Sequence, residues 1–345
     1  MSGRRPVGFL HIITVAAAYV GAVVGGGFAT GREVLHFFAS PMNVDGSGLL
    51  LAAGGFILGG AGLMILIGRL NIRSSAEIIA VACSGSPGRL WAGRLLTVFY
   101  FLILGVVFSA AAALADSWGL PPPFGALGMA AAVAICLIIG PRGIGAVNLM
   151  LLAILATVLL STAFGLTPPA TIPIGGPSGG AEAVAPVLYV SYNLVFALAV
   201  FPDLGAANAK TGAAGAALGG GLLGILCWAE WRIMVEVYRN VAWADVPLRV
   251  AVSLVRPSIA DVYPILVLFS LLTTGIAVGC GLLDPRSIGR ARWRSVSLAV
   301  LLALPVSMVN LSQLVQTLYP LLGCLSLLFW LQLFRRSWRL RRFHR

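Results

Sequence analysis

Three ionisable residues, Arg32, Glu33 and His36, follow directly on the glycine-rich stretch Gly21-Ala-Val-Val-Gly-Gly-Gly-Phe-Ala-Thr-Gly31, inside an apolar run from Val7 to about Ala39. Charges in such a setting are costly and mark functional sites by default. Glu33 and His36 are three apart, hence on one face of a helix. A carboxylate beside an imidazole, which titrates near neutrality, is a candidate proton-coupling pair. The plainer reading has Glu33 neutralise Arg32 or cap backbone near the glycines, with His36 at the membrane interface. A second polar group is Tyr192-Asn193, within Tyr189-Val-Ser-Tyr-Asn193. Its hydroxyl and amide either line a solute cavity or bond neighbouring helices, which in membranes is worth about 0.6–2 kcal/mol per bond.

The elements that carry these residues are interrupted helices. The run from Val7 to Ala39 is too long for one spanning helix of about 20 residues. It is broken by Gly25, Gly26, Gly27 and Gly31, each costing a helix about 1 kcal/mol relative to alanine. Unpaired backbone at membrane depth is tolerated only where protein or a wet cavity receives it. The sequence therefore predicts two half-helices around an unwound segment whose N–H and C=O groups face a ligand or an ion. Gly25, Gly26, Gly27 and Phe28, with Tyr192 and Asn193, are the candidate solute-binding residues. A later span repeats the layout: Pro186 lies early, Tyr189–Asn193 is expected to interrupt it, and Pro202-Asp203 follows. Interruptions at corresponding places of two five-helix halves point to an inverted-repeat transporter with its solute at the midplane.

Composition fixes the class. Hydrophobic residues make up 59% of the chain and charged residues 10%, with mean hydropathy +0.98, whereas a soluble domain carries about 25% charged residues. The chain reads as an all-α polytopic membrane protein whose partner is the lipid bilayer. Its net charge of +12 is not a nucleic-acid signal, because the arginines cluster in short loops and at the C-terminus as in cytoplasmic flanks. Ten spans are expected, at Phe9–Phe38, Gly48–Ile67, Leu95–Ala115, Phe124–Ile139, Ile144–Phe164, Ala183–Ala206, Ala214–Val235, Val262–Leu283, Val296–Val309 and Leu314–Phe334. Arg4, Arg5, Arg69, Arg73, Arg89, Arg94, Arg142, Lys210, Arg286, Arg290, Arg292, Arg294 and the tail arginines fall on one side of this arrangement. Loops at Ser40–Ser47, Asp116–Pro123, Gly165–Glu182 and Asn310–Gln313 on the other side carry none. Both termini are then cytoplasmic. The first apolar run reads as a membrane segment and not a cleaved leader, being too long for a leader core.

The chain divides into a first repeat at about 7–165, a second at about 183–334 and a basic tail at 335–345, all one transmembrane domain. Gly165–Gly180, rich in Pro, Gly and Thr, is the linker between the halves. Ser74-Ser-Ala-Glu77 fits a capping box that opens a short helix to Cys83. Asp245-Val-Pro247 is expected to cap an outer-loop helix to about Val255. Cys83, Cys136, Cys227, Cys280 and Cys324 are scattered apolar packing residues without metal spacing. Trp228, Trp231 and Trp243 read as an interfacial belt, and the glycines of Gly54–Gly62 and Gly219–Gly221 as sites of close helix packing. Asp116, Asp284, His11 and His344 read as interfacial, and Asp203 as a partner of a loop arginine.

The stretch Gly21–Glu33 resembles the signature of the YkvI-type bacterial membrane proteins, which belong with the amino acid–polyamine–organocation superfamily. Tyr192-Asn193, Thr273-Thr274 and Tyr319-Pro320-Leu321 also look like family positions. The resemblance covers essentially the whole chain. It implies the LeuT-type fold of ten helices, five plus five with the first and sixth broken, a transport role and residence in the bacterial inner membrane. It implies no particular substrate. Sodium-coupled members of that fold hold a cation between the broken first helix and the eighth. The matching positions here are the carbonyls of Gly21, Val24 and Ser270 and the hydroxyls of Thr273 and Thr274, an all-oxygen set suited to a hard cation. The alternative is that the two threonines merely bond their own helix backbone. No lysine falls in the fifth span as a fixed substitute for the cation.

The function expected is therefore cation-coupled secondary transport of a small organic solute, an amino acid or an amine-like compound, by alternating access. Sodium is the expected coupling ion and no other cofactor is expected; the helix near Asp245–Val255 is a candidate lid. The competing reading is a non-transporting sensor or complex subunit that keeps the fold. An enzyme is disfavoured: the chain has no H-E-x-x-H metal motif, no phosphate-binding G-x-x-x-x-G-K-[ST] loop and no G-x-S-x-G elbow. The sequence does not set the oligomeric state.

Overall fold

The computed structural model describes residues 8–39, 46–83, 86–140, 144–166, 181–205, 209–283 and 288–343. Expectations for Arg4, Arg5, Arg142, Asp284, Arg286, His344 and most of the Gly165–Gly180 linker lie outside these residues, as do the side chains of Arg89, Asp203 and the tail beyond Ser337.

All regular structure among the described residues is helical. In chain order the helices are α1 (Phe9–Val23), α2 (Gly26–Thr30), α3 (Arg32–Phe38), α4 (Ser47–Leu70), α5 (Ser75–Ala82), α6 (Ser86–Asp116), α7 (Pro122–Ile139) and α8 (Ile144–Gly165). They continue with α9 (Ala181–Ala197), α10 (Phe201–Gly205), α11 (Ala209–Glu236), α12 (Tyr238–Val241), α13 (Pro247–Val255), α14 (Tyr263–Leu282), α15 (Gly289–Ala303) and α16 (Leu311–Phe343). Seven of them (α4, α6, α7, α8, α11, α14 and α16) contain stretches long and apolar enough to cross a membrane, and α1 and α9 are shorter apolar helices. The chain is thus a multi-pass helical membrane protein. α16 continues unbroken through Arg335 and Arg336 to Phe343, so the basic tail prolongs the last helix.

The first apolar run breaks at two of its four glycines, Gly25 and Gly31, while Gly26 and Gly27 open the short helix α2. α1 ends at Val23, and Gly25 is extended, with φ −112° and ψ −162°. A second bend falls at Gly31, whose φ of +75° is in the left-handed region that favours glycine. A side chain there would also run into Leu248 of α13.

The second interruption lies elsewhere than expected. α9 runs continuously through Tyr189–Asn193, and the chain leaves the helix only at Leu198–Val200. There Leu198, Ala199 and Val200 make tight bonds to residues three back, at 3.1–3.2 Å. The cause is Pro202, which supplies no N–H and whose ring excludes the carbonyl four residues earlier, that of Leu198. That freed carbonyl accepts from Ser75 Oγ of α5 at 2.7 Å. The polar run upstream does not break the helix because it satisfies itself. Ser191 Oγ donates to Val187 O at 2.7 Å, and Asn193 Nδ2 donates to Tyr189 O at 2.9 Å.

Small residues set the helix packing around the broken segment. A Cβ at Gly220 of α11 would meet the backbone of Phe56 and Ile57 on α4; one at Gly219 would meet Ala16 of α1. Gly54 and Gly221 face open space, so only part of each glycine cluster serves close approach. Trp231 is buried, whereas Trp243 is 92% exposed; the former is a packing residue and not part of a belt. Ser74 caps α5, accepting from the Glu77 N–H at 3.3 Å, while Glu77 reaches back to the Arg73 N–H at 2.8 Å. Asp245 does not cap α13, whose N-cap is Val246. Its carboxylate instead accepts from the Ser312 N–H at 3.0 Å and from the Ser312 hydroxyl, anchoring the α12–α13 region to the start of α16.

Candidate functional site

Helix ends leave backbone groups without intrahelical partners, and the break between α1 and α2 has to place several of them in the interior. Three neighbours supply partners. The Gly26 N–H donates to Thr274 Oγ1 of α14 at 2.8 Å. The Gly21 carbonyl accepts from Asn148 Nδ2 of α8 at 2.9 Å. The Ala29 carbonyl accepts from the Tyr263 hydroxyl at 2.8 Å. A Cβ at Gly25 would strike the Thr274 side chain and one at Gly26 would strike Leu271. The glycines therefore allow α14 to lie directly against the unwound backbone.

Four of the residues implied as cation ligands, Gly21, Ser270, Thr273 and Thr274, are joined here through hydrogen bonds. Thr273 and Thr274 both donate to Ser270 O, at 3.0 and 2.9 Å. That much fits the plain reading, in which membrane threonines bond their own helix. The second contact of each hydroxyl does not, because Thr274 also accepts from Gly26 and Thr273 lies 3.2 Å from Asn148 Oδ1. Asn148 thus bridges Gly21 of α1 and Thr273 of α14 through its two amide ends. It is the residue that sequence reasoning missed: a search of the fifth span for lysine passes over the one amide in Ile144–Gly165.

A second cluster forms around Glu33. The Tyr192 hydroxyl donates to Glu33 Oε2 at 2.5 Å, and the Tyr319 hydroxyl bonds the same carboxylate. The two tyrosine rings stack with centroids 5.0 Å apart and planes 8° apart. The carboxylate folds back over Gly27, where a Cβ would collide with Glu33 Oε1 and meet the Tyr319 hydroxyl at 3.1 Å. Phe28, Tyr192, Asn193 and Glu33 are all buried.

Two expectations about charge change accordingly. Glu33 does not neutralise Arg32, whose guanidinium donates to the carbonyls of Ala242 and Ala244 at 2.9 and 3.2 Å. Nor does Glu33 bond His36, which is half-buried with its ring edge-on to Phe37 at 4.9 Å. Asn193 spends its amide on its own helix. Glu230, six residues before the end of α11, is fully buried beside this cluster. Its sequence signal is a carboxylate inside α11, a helix whose other charged residues are Lys210, Arg232 and Glu236.

At the end of the bundle that carries Asp245, a cavity of about 680 Å³ opens between α6, α7 and the 304–311 segment, with Ser109, Asp116, Asp245 and Asn310 among its polar lining.

Comparison with known proteins supplies a family and a fold. No protein-family model matches the chain. It is 30% identical over 331 residues to the uncharacterized membrane protein YkvI of Bacillus subtilis, covering 91% of this chain and 93% of that protein. Among solved structures, the inward-facing conformation of Mhp1 superposes with TM-score 0.61 at 15% identity, covering 94% of this chain and 77% of Mhp1. A mutant of the Eremococcus coleocola manganese transporter gives 0.59 at 16% identity, covering 96% and 81%. A Na⁺-coupled sialic acid symporter in a substrate-bound outward-open state gives 0.57 at 16% identity, covering 94% and 86%. At these identities the likeness is one of fold.

Proposed function

The chain belongs to the YkvI family of membrane proteins, and we propose that it is a cation-coupled secondary transporter for a small organic solute. The observation that carries this is the break at Val24–Gly25, whose flanking backbone groups, the Gly21 carbonyl, the Gly26 N–H and the Ala29 carbonyl, are bonded by Asn148, Thr274 and Tyr263 from two other helices. Backbone interrupted at membrane depth and met by polar groups of neighbouring helices is how transporters of this architecture build their binding centres. The superpositions on Mhp1 and the sialic acid symporter support the same reading.

In this reading ten spans form a five-plus-five inverted repeat. α1–α3 and α9–α10 are its corresponding broken helices, and both termini are cytoplasmic in the bacterial inner membrane. The solute lies along Gly25–Phe28 and Tyr192. Sodium is the coupling ion, held by the carbonyls of Gly21, Val24 and Ser270 and the hydroxyls of Thr273 and Thr274. Asn148 modulates that site. Its Nδ2 donates to the Gly21 carbonyl; turned about, its Oδ1 joins the oxygens around the ion. α13, seated on Gly31 through Leu248, is the lid. The protein is not an enzyme in this account.

The test is uptake of labelled solutes, amino acids and amines first, into proteoliposomes with an imposed inward Na⁺ gradient. Uptake that collapses when the gradient is replaced by K⁺ supports the reading, and gradient-independent flux contradicts it.

A further inference from the structure

The N-terminal half of α6 carries one apolar stripe. Trp91, Leu95, Val98 and Leu102 follow at i, i+4, i+7 and i+11, which puts them on a single helix face. At 1.5 Å per residue the stripe is about 16 Å long, close to one leaflet of a hydrocarbon core about 30 Å thick. Beside it the helices leave a cavity of about 140 Å³ between α5, α6, α9 and α16. Leu95, Val98 and Leu102 line it with Phe329 of α16 and Leu198 of α9, and Ser326 is its one polar lining residue.

Packed interiors hold few voids larger than a water molecule. An apolar void of about 150 Å³ stays dry and takes an apolar guest instead. The rim shows where the guest comes from. Leu95, Val98 and Leu321 are exposed, and all three lie in the membrane-crossing stretches of α6 and α16. The opening therefore meets hydrocarbon, where the guest at hand is an acyl chain. Positive charge stands at one end of the stripe. Arg94 is exposed, lies over the Trp91 ring at 6.0 Å from its centroid, and among the described residues forms no ion pair. Arg336 follows Phe329 by seven residues, two turns on along the same face of α16. The one acid in α6, Asp116, is at its far end, and Glu77 of α5 accepts from the Arg73 N–H. A tryptophan at the interface beside an arginine is the complement of an anionic lipid headgroup.

We propose that this crevice is a binding site for an anionic phospholipid of the leaflet on the arginine-rich side. One acyl chain lies along Leu95, Val98 and Leu102 into the cavity, and the phosphate sits at Arg94 beside Trp91. The site is separate from the solute and ion residues and does not rest on the transporter reading. It reaches the second helix break. Leu198, whose carbonyl accepts from Ser75, lines the cavity, as does Ile79 of α5. A chain seated there packs on both partners of that bond and holds α5 against α9.

The experiment is thermal unfolding of the delipidated protein in detergent, titrated with phosphatidylglycerol, phosphatidylcholine and glycerol 3-phosphate. A ligand of the folded state raises the midpoint by mass action. The expected result is a rise of several degrees with phosphatidylglycerol, a smaller one with phosphatidylcholine and none with glycerol 3-phosphate, which has the headgroup charge without the chains. Arg94→Gln brings the phosphatidylglycerol response down to that of phosphatidylcholine. Ala92→Phe, which fills the cavity from its wall, loses the response to both lipids. Equal responses to the two lipids in the native protein mean annular lipid only and overturn the proposal. So do an absent response, an undiminished preference in Arg94→Gln, or an undiminished response in Ala92→Phe. If Ala92→Phe does not fold, phosphatidylglycerol with a photoreactive group in its acyl chain decides on the native protein. Crosslinks confined to 92–102 and 321–329 support the site, and crosslinks spread over the other helices remove it.

Discussion

The Tyr192 hydroxyl donates to Glu33 Oε2 at 2.5 Å, joining two residues 159 positions apart, one on α9 and one just beyond the break in the first apolar run. The bond ties the two interrupted segments together inside the core. Hydrogen bonds to charged groups contribute about 1.5–3 kcal/mol, so Tyr192→Phe should lower the unfolding midpoint by several degrees. Glu33→Gln combined with Tyr192→Phe should cost less than the sum of the single changes, because both remove one interaction. Strict additivity in that double-mutant cycle, read by thermal unfolding in detergent, would break the pairing.

Gly27 has its identity set by Glu33. A Cβ at this position collides with the carboxylate that folds over it. Gly27→Ala should therefore displace Glu33 from its tyrosine partners and abolish solute binding while the protein still inserts and folds. Overpacking of this kind typically costs about 1–3 kcal/mol. Retained binding, with a midpoint like that of the native protein, would show that the carboxylate is free to swing aside.

Asn148 makes a sharper prediction about the ion. Asn148→Asp replaces the amide that donates to Gly21 with a carboxylate oxygen, which repels the Gly21 carbonyl unless a cation lies between them. The variant should be less stable than the native protein in K⁺ and gain more from Na⁺. By mass action its midpoint should respond at lower sodium concentration. A variant equally stable in both salts would separate Asn148 from the ion.

Asp245 anchors the α12–α13 region to the start of α16 through Ser312. Asp245→Ala leaves the Ser312 N–H without that acceptor and loosens α13, which covers Gly31. Hydrogen–deuterium exchange over 247–255 should rise in this variant while α4 and α11 stay protected. Unchanged exchange would mean that α13 is held by its apolar face alone.

How far the sequence revealed the site follows from which signals were local. The first break is written in Gly25 and Gly31, which separate α1, α2 and α3, whereas Gly26 and Gly27 are taken into α2 and only Gly31 has the positive φ that favours glycine. The second was misplaced by about nine residues. The polar run Tyr189–Asn193 looked like exposed backbone, yet its side chains bond their own helix or turn into the core. Pro202, acting four residues upstream on Leu198, sets the break. Asn148 and Glu230 were missed for a different reason. Each sits in a largely apolar helix, and its meaning depends on what α1, α3 and α14 bring to it, which no spacing along the chain records. Glu33 and His36 do not bond each other, because helical spacing puts two residues on one face without saying which neighbours that face meets. Here it meets Tyr192 and Tyr319.

The measurement that tests the account most directly is thermal stability of the purified protein in NaCl against KCl at equal ionic strength, repeated for Thr273→Ala/Thr274→Ala. A ligand that binds the folded state raises its midpoint by mass action. The account predicts a Na⁺-specific rise in the native protein that the double variant loses. Identical midpoints in the two salts, or a Na⁺ response that survives loss of both hydroxyls, would contradict the cation site between α1 and α14.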